Sequence, residues 1–217
     1  METLKLLTEF QDFSTLEVLT ESAEDGSKVY RIKGPFLQAE VKNRNGRIYS
    51  KTLLEREIKN FVKEKVDTKR AMGELDHPAT PQINLDRVSH LIESLDMEGN
   101  DGMGTAKLLD TPMGRIAQTL VKDGILLGVS TRGVGSLKGD KVNEDYKMIT
   151  IDLVADPSAP NAFVEGILEG KNYIIGDDGN IVEVAIAELQ RKVDNKGLGK
   201  ITAQFMNDFI TDLKNRL

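Results

Sequence analysis

Ile125-Leu126-Leu127-Gly128-Val129-Ser130-Thr131-Arg132-Gly133-Val134-Gly135 is the stretch on which the reading of this chain turns. Its apolar first half, Ile125 to Ser130, follows Gly124 and reads as a strand. Alternation sets Leu126, Gly128 and Ser130 on one face, and the glycine removes a side chain beside the hydroxyl. Arg132-Gly133-Val134-Gly135 then reads as flexible, glycine-rich backbone with N–H groups free to meet a developing negative charge.

Working outward, the segment before this strand predicts a well-punctuated helix. Thr111 stands as N-cap, Pro112 at the first helical position and Gly124 just past the end, with Ile116, Leu120 and Val121 as the buried stripe. After it, the polar link Lys138-Gly139-Asp140-Lys141 leads to a second strand, Tyr146 to Val154. Val88 to Asp96 and Gly104 to Leu109 predict a hairpin around Glu98-Gly99-Asn100-Asp101-Gly102. Further upstream, Val29 to Gly34 and Phe36 to Val41 read as strand, and Asn45-Gly46 is a turn signal before Arg47-Ile48-Tyr49. From Thr52 the period changes to that of a helix, with Leu53, Leu54, Ile58, Phe61 and Val62 on one face and Thr52-x-x-Glu55 as capping box. Many strands with few, separated helices predict an antiparallel α+β domain.

Three regions are expected. Residues 1–28 form an acidic N-terminal segment in which Leu4 to Phe10 is a candidate edge strand and Ser22 to Ser27 a solvated loop. Residues 29–170 form the main domain, and 171–217 a partly helical tail. In that tail a hairpin-like Tyr173 to Gly179 precedes two helical segments, the last with Ile201, Phe205, Phe209, Leu213 and Leu217 in a stripe suited to packing on its own domain or on a partner.

Composition narrows the function classes. The 217 residues carry 39% hydrophobic and 29% charged side chains, an ordinary globular balance. A net charge of −6, 5% aromatics and no tryptophan argue against a nucleic-acid ligand. The absence of cysteine excludes disulfides and thiolate metal sites and suits a reducing compartment. Neither a signal peptide nor a membrane-spanning segment is expected.

The chemistry rests on two motifs, Gly73-Glu74-Leu75-Asp76-His77-Pro78 and Gly128-Val129-Ser130-Thr131-Arg132-Gly133. A histidine in a loop bounded by glycine and proline and a hydroxyl in a close-approach backbone are the two parts that serine-hydrolase chemistry requires. His77 is the candidate base, Ser130 the candidate nucleophile, and Arg132 and Gly133 the candidate oxyanion donors. Asp152, in the strand Met148-Ile149-Thr150-Ile151-Asp152-Leu153-Val154, is the candidate third member, because a buried carboxylate demands a partner. Asp76 and Glu74 compete for that role by proximity in sequence. His90 reads as structural, with Ser89 pointing to the opposite face. Glu74, Asp76 and His77 offer metal ligands, but no second histidine stands at helical spacing, so neither metal nor cofactor is expected.

Four motifs carry a resemblance: Gln38-Ala39-Glu40-Val41-x-Asn43-Arg44-Asn45, Gly73-Glu74-Leu75-x-His77-Pro78, Gly128-Val129-Ser130-x-Arg132-Gly133-x-Gly135-Ser136-Leu137 and Pro157-Ser158-Ala159-Pro160. In this order, over residues 36–164, the chain resembles the prohead core protein proteases of T-even-type phages, which are related in fold to the herpesvirus assemblins. The resemblance implies an antiparallel β-barrel ringed by helices, His77 as base, Ser130 as nucleophile and Asp152 at an acidic position where assemblins use a second histidine. It implies an endopeptidase inside the prohead, in the host cytoplasm, that digests scaffold and core proteins and trims the major capsid protein; a homo-oligomer is left open as a further partner. Cleavage after glutamate in a hydrophobic-x-Glu pattern is also implied, with Arg44, Arg47 and Arg132 as candidates to receive that glutamate. The tails contain matching triplets, Leu7-Thr8-Glu9 and Ile167-Leu168-Glu169 among them, so self-cleavage is expected there. The alternative is a non-catalytic capsid or scaffold component that uses the same barrel for assembly.

Overall fold

A computed structural model describes residues 4–11, 16–22, 28–78, 80–125, 127–155, 173–176 and 180–183. The tail helices, the Pro157 to Pro160 motif and most of the Ser22 to Ser27 segment lie outside the described residues.

Between Leu4 and Ala155 the elements run β1 (Lys5–Gln11), β2 (Glu17–Ser22), β3 (Lys28–Gln38), α1 (Lys51–Phe61), β4 (Met72–Glu74), β5 (Val88–Glu98), β6 (Asp101–Leu108), α2 (Pro112–Lys122), β7 (Gly128–Gly135), the two-residue β8 (Leu137–Lys138) and β9 (Lys141–Val142), and β10 (Lys147–Val154). Two larger antiparallel sheets result, one of five strands in the order β2-β3-β6-β5-β4 and one of three in the order β1-β7-β10, beside the two-stranded β8-β9 ribbon. They meet where Leu75, just past β4, bridges Leu153 of β10 in parallel and the Asp76 N–H donates to the Leu153 carbonyl at 2.7 Å. The expected closed barrel is not found among the described residues, where the two sheets keep separate ladders and touch along this seam.

The core is a single apolar cluster fed by both sheets and both helices. Phe36, Leu53, Ile92, Leu95, Val129, Ile151 and Leu153 are all essentially inaccessible. Helix α1 starts two residues earlier than Thr52 suggested: Ser50 is the N-cap and its hydroxyl accepts from the Leu53 N–H, so no Thr52 capping box forms. Helix α2 begins as expected, with Thr111 accepting from the Gly114 N–H and Pro112 at its first position. Its buried face, however, is Gly114, Ala117 and Val121, and Ile116 is exposed. Small residues win that face because the helix lies hard against the chain beneath it; a Cβ at 114 would stand 2.1 Å from the Leu109 carbonyl oxygen.

Three strands differ from the sequence reading. Strand β2 was missed because five of its six residues are exposed, so it carries no buried alternation to find. Strand β4 occupies what reads as loop. Strand β7 begins at Gly128 rather than Ile125 and continues to Gly135, with all eight residues buried. The N-terminal segment is not separate, since β1 is an edge of the three-stranded sheet and the compact unit begins at Leu4. A second unit contains a short hairpin, β11 (Tyr173–Ile175) with β12 (Ile181–Glu183), in register Tyr173 to Glu183. No helix among the described residues is long and apolar enough to cross a membrane.

Candidate active site

The site begins where β4 ends. Pairing with β5 brings Glu74 inward, and the bridge to Leu153 then pulls the chain across to the second sheet. Asp76 takes the left-handed conformation, φ 68°, which Asp tolerates better than most residues, and its side chain accepts from the His77 N–H at 2.9 Å. This turn folds the imidazole back over β10. His77 Nδ1 there lies 3.0 Å from Oδ2 of Asp152.

Asp152 is fully buried and fully engaged. Its Oδ1 accepts from the Glu74 N–H at 3.0 Å and from Arg132 Nη2 at 3.2 Å, and Arg132 Nε stands 3.0 Å from Oδ2 as an ion-pair neighbour. Burial by itself would raise the Asp152 pKa, but the His77 bond, the Arg132 charge and the Glu74 N–H together outweigh it and hold the carboxyl below its ordinary value. The group is therefore a carboxylate, which only accepts, so Nδ1 of a neutral His77 carries the proton and Nε2 presents a lone pair. That is the tautomer a general base needs.

Arg132 is the hub of this cluster. It is fully buried, sits 3.4 Å from Oε1 of the equally buried Glu74, and donates through Nη1 to the Thr80 carbonyl at 2.7 Å. Glu74 also accepts from the Asn84 N–H at 2.6 Å. Two buried carboxylates are thus held by one buried guanidinium, with Arg87 approaching Glu74 from the more exposed side at 3.6 Å. Glu74, ranked behind Asp152 as a histidine partner, instead braces Arg132 through its side chain and Asp152 through its backbone.

Ser130 stands opposite Asp152 in the β7–β10 ladder. Directly opposed residues share a face, with Cβ atoms about 4.5–5.5 Å apart, so the hydroxyl lies on the His77 side of the sheet. Among the described residues no hydrogen bond joins His77 to Ser130. The Ser130 hydroxyl donates instead to the main-chain carbonyl of Glu9 on β1, at 2.8 Å, and Thr131 Oγ1 reaches the same oxygen at 3.4 Å. The structure therefore brings His77 and Asp152 into contact and places Ser130 beside them, turned toward the neighbouring strand.

The Glu9 side chain, 4% exposed, has its own receptor. Oε1 accepts from Arg47 Nη1 at 3.0 Å and from the Tyr49 hydroxyl at 2.8 Å, and Oε2 accepts from Asn43 Nδ2 at 2.6 Å and Asn45 Nδ2 at 2.9 Å. A tight turn organises these donors: Gly46 N–H donates to the Asn43 carbonyl, Arg47 N–H to Asn43 Oδ1, and Gly46 adopts φ 75°. Burial and then the Glu9 charge push the Tyr49 phenol up, which keeps it a donor. The turn was legible, but the receptor was not. Its one signal is the row of donors at alternate positions, Asn43, Asn45, Arg47 and Tyr49.

Two sequence expectations need correction. The Arg132 to Gly135 segment is not flexible loop but paired strand, with Thr8 and Leu7 of β1 on one side and Thr150 and Met148 of β10 on the other. Its backbone donors therefore point into the two ladders, which removes the premise of an oxyanion hole at Arg132 and Gly133. Ser89 and His90 also do meet, Oγ to Nδ1 at 2.9 Å. Alternation governs Cβ directions, while these two polar atoms lie close enough to the main chain to bridge across it. His90 Nε2 lies 2.9 Å from the Ile151 carbonyl, so the ring is held neutral between two partners.

Burial pushes the His90 pKa down to about 4 from 6.5, against the opposing pull of Asp152 and the Ile151 carbonyl. A base with a depressed folded-state value stabilises the fold fully above its unfolded value and loses that contribution as pH falls. The loss should run from about pH 6.5 to 4 and total about 3 kcal/mol. Urea midpoints measured across this range should slope accordingly in the wild type, and His90→Gln should flatten the slope.

Gly73 pairs with His90, and a Cβ there would stand 2.1 Å from His90 Nε2 and 2.2 Å from the Ile151 carbonyl oxygen. Gly73→Ala should therefore lift β4 off β10, loosen the Glu74 N–H bond to Asp152 and cost about 1–3 kcal/mol, read as a lowered denaturation midpoint.

The profile of the prohead core protein serine protease family matches residues 9–172 of this chain. The chain belongs to that family. It is 36% identical over 172 residues to the prohead core protein protease of Enterobacteria phage T4, covering 74% of this chain and 81% of the relative. A solved structure of the bacteriophage T4 capsid assembly protease is similar at a TM-score of 0.66 and 34% identity, covering 71% of this chain and 99% of that one. The matched region takes in both motifs and every residue of the cluster around Asp152. Among the described residues of this capsid-assembly protease family member, no group of three or more His, Asp and Glu is placed to hold a metal ion.

Proposed function

We propose that this chain is a serine endopeptidase of capsid maturation in which His77 takes the Ser130 proton and Asp152 orients the imidazole. The observation that carries this reading is the His77–Asp152 bond at 3.0 Å, set on the face that the cross-strand partner Ser130 shares. A rotation of the Ser130 side chain away from Glu9 is what the reading requires for the hydroxyl to meet Nε2. Catalytic hydrogen bonds of this kind are often long until substrate completes the site. In the reaction Ser130 Oγ adds to the scissile carbonyl as its proton passes to His77, and the imidazolium returns that proton to the leaving amine.

The substrates in this reading are scaffold, core and major capsid proteins, cut after glutamate in hydrophobic-x-Glu sites, and the chain itself. The place is the interior of the prohead in the host cytoplasm. Two antiparallel sheets with helices against them suit kinship with the assemblins, with Asp152 standing where those enzymes carry a histidine.

The test is a serine-directed phosphonate together with a peptide containing Leu-Thr-Glu-Phe. Labelling confined to Ser130 and cutting after the glutamate are expected. An unlabelled protein that leaves the peptide whole would favour the non-catalytic assembly role.

A further inference from the structure

We infer that β1 is docked in the active site as the chain's own substrate, with Glu9 in the pocket that selects glutamate and Glu9–Phe10 as the bond to be cut. The inference rests on Ser130 being the nucleophile, as proposed above, and adds the specificity residues and the target bond.

Two independent features of Glu9 converge on it. Its main-chain carbonyl oxygen lies 2.8 Å from the Ser130 hydroxyl, which puts the carbonyl carbon within about 4 Å of the nucleophile. Its side-chain carboxylate is buried and meets four donors, Asn43, Asn45, Arg47 and Tyr49. Each feature alone has a structural reading, an ion pair for the carboxylate and a buried hydroxyl satisfied by a neighbouring strand for the carbonyl; it is their meeting on one residue of a Leu-x-Glu triplet that points to a substrate.

Strand geometry explains the sequence pattern. In β1 alternate side chains share a face, so Leu7 and Glu9 both turn inward while Thr8 is half-exposed. A chain bound this way is read at the first and third positions and not at the middle one, which is the hydrophobic-x-Glu pattern. Asn45 also donates to the Thr8 carbonyl at 2.6 Å, a hold on the main chain that any side chain at the middle position leaves intact. Beside the carboxylate receptor a cavity of about 180 Å³, lined by Arg44, Thr131, Tyr146 and Met148 among others, leaves room on the same wall. Of the three arginines weighed from sequence as glutamate receptors, Arg47 touches the Glu9 carboxylate, while Arg132 faces Asp152 and Glu74.

The step balances with water as the only co-reactant. Ser130 Oγ bonds to the Glu9 carbonyl carbon as its proton moves to His77 Nε2. The bond to the Phe10 nitrogen then breaks and that nitrogen takes the proton. Water hydrolyses the Glu9 ester, leaving a free α-carboxylate and restoring the serine. Thr131 Oγ1, 3.4 Å from the Glu9 carbonyl oxygen, is a further donor to the developing oxyanion. Until residues 1–9 depart, β1 keeps other chains off β7.

The full-length chain tests this directly. Mapping of termini should find Phe10 as a new N-terminus in the wild type and an intact Glu9–Phe10 bond in Ser130→Ala and Glu9→Gln. Peptides containing Leu-Thr-Glu-Phe and Leu-Thr-Gln-Phe should be told apart by the wild type. Arg47→Met should cut the kcat/KM for the glutamate peptide about 10–100-fold and Tyr49→Phe about tenfold, with the glutamine peptide much less affected. Cleavage that survives in Ser130→Ala overturns the underlying serine reading. Ser130-dependent peptide cleavage with an unchanged preference for glutamate in both variants, or with Glu9–Phe10 left whole in the wild type, overturns the assignment of Glu9 alone.

Discussion

Ser130→Ala should reduce peptide hydrolysis by about 10⁴–10⁶-fold while leaving the protein folded. The catalytic loss is large because the other members of a triad have nothing to activate once the nucleophile is gone. The structural loss is small because the hydroxyl makes one hydrogen bond, to the Glu9 carbonyl, worth about 1 kcal/mol. His77→Ala should fall to the same floor, and the double variant should be no worse than either alone, since groups acting as one unit are far from additive. Rates measured by product formation over days, beside denaturation midpoints for the same samples, provide the check. A Ser130→Ala protein that keeps more than a tenth of wild-type turnover would remove the serine from the chemistry.

The largest expected effect on stability is at Arg132. Arg132→Leu leaves Asp152 and Glu74, both fully buried, without their shared guanidinium. Removing one partner of a buried ionic cluster costs about 3–5 kcal/mol, mostly from the charge left behind. Lysine should not rescue it, since a point charge cannot reach Asp152, Glu74 and the Thr80 carbonyl together as the planar fork does.

The pH dependence distinguishes this cause from simple loss of packing. In the wild type the depressed Asp152 pKa adds stability that is present above its unfolded value and disappears as pH falls through the folded one. Without Arg132 a main opposing influence to burial is gone, and Asp152 should take up a proton more readily. The gap between variant and wild type should thus narrow toward acid pH. A gap that stays constant would assign the cost to lost packing instead.

How much of this could be read from the sequence depended on distance along the chain. The α2 cap at Thr111 and Pro112, the hairpin (its turn narrowed from Glu98–Gly102 to Gly99 and Asn100) and the strand through Asp152 are local patterns, and they stand close to where the spacing put them. The pairing of His77 with Asp152 follows from what a buried carboxylate needs, a physical requirement that reaches across 75 positions. The burial of Arg132 is not legible in this way, because an arginine followed by Gly133-Val134-Gly135 reads as exposed loop until both neighbouring strands are known. Glu9 was visible only as one of several matching triplets. Its meaning depends on β1 lying against β7, a pairing that no local periodicity encodes. The exposed Ile116 shows the opposite failure: of the expected stripe Val121 is buried and Leu120 packs on the core, but Gly114 and Ala117 take the place given to Ile116 because closeness mattered more than hydrophobicity.

The seam between Leu75 and Leu153 has a further consequence. The imidazole is carried by one sheet, whereas the hydroxyl and the orienting carboxylate are carried by the other. In the proposed mechanism, therefore, a molecule with either half unfolded lacks one part of the triad, and the site is complete only where the two sheets are joined.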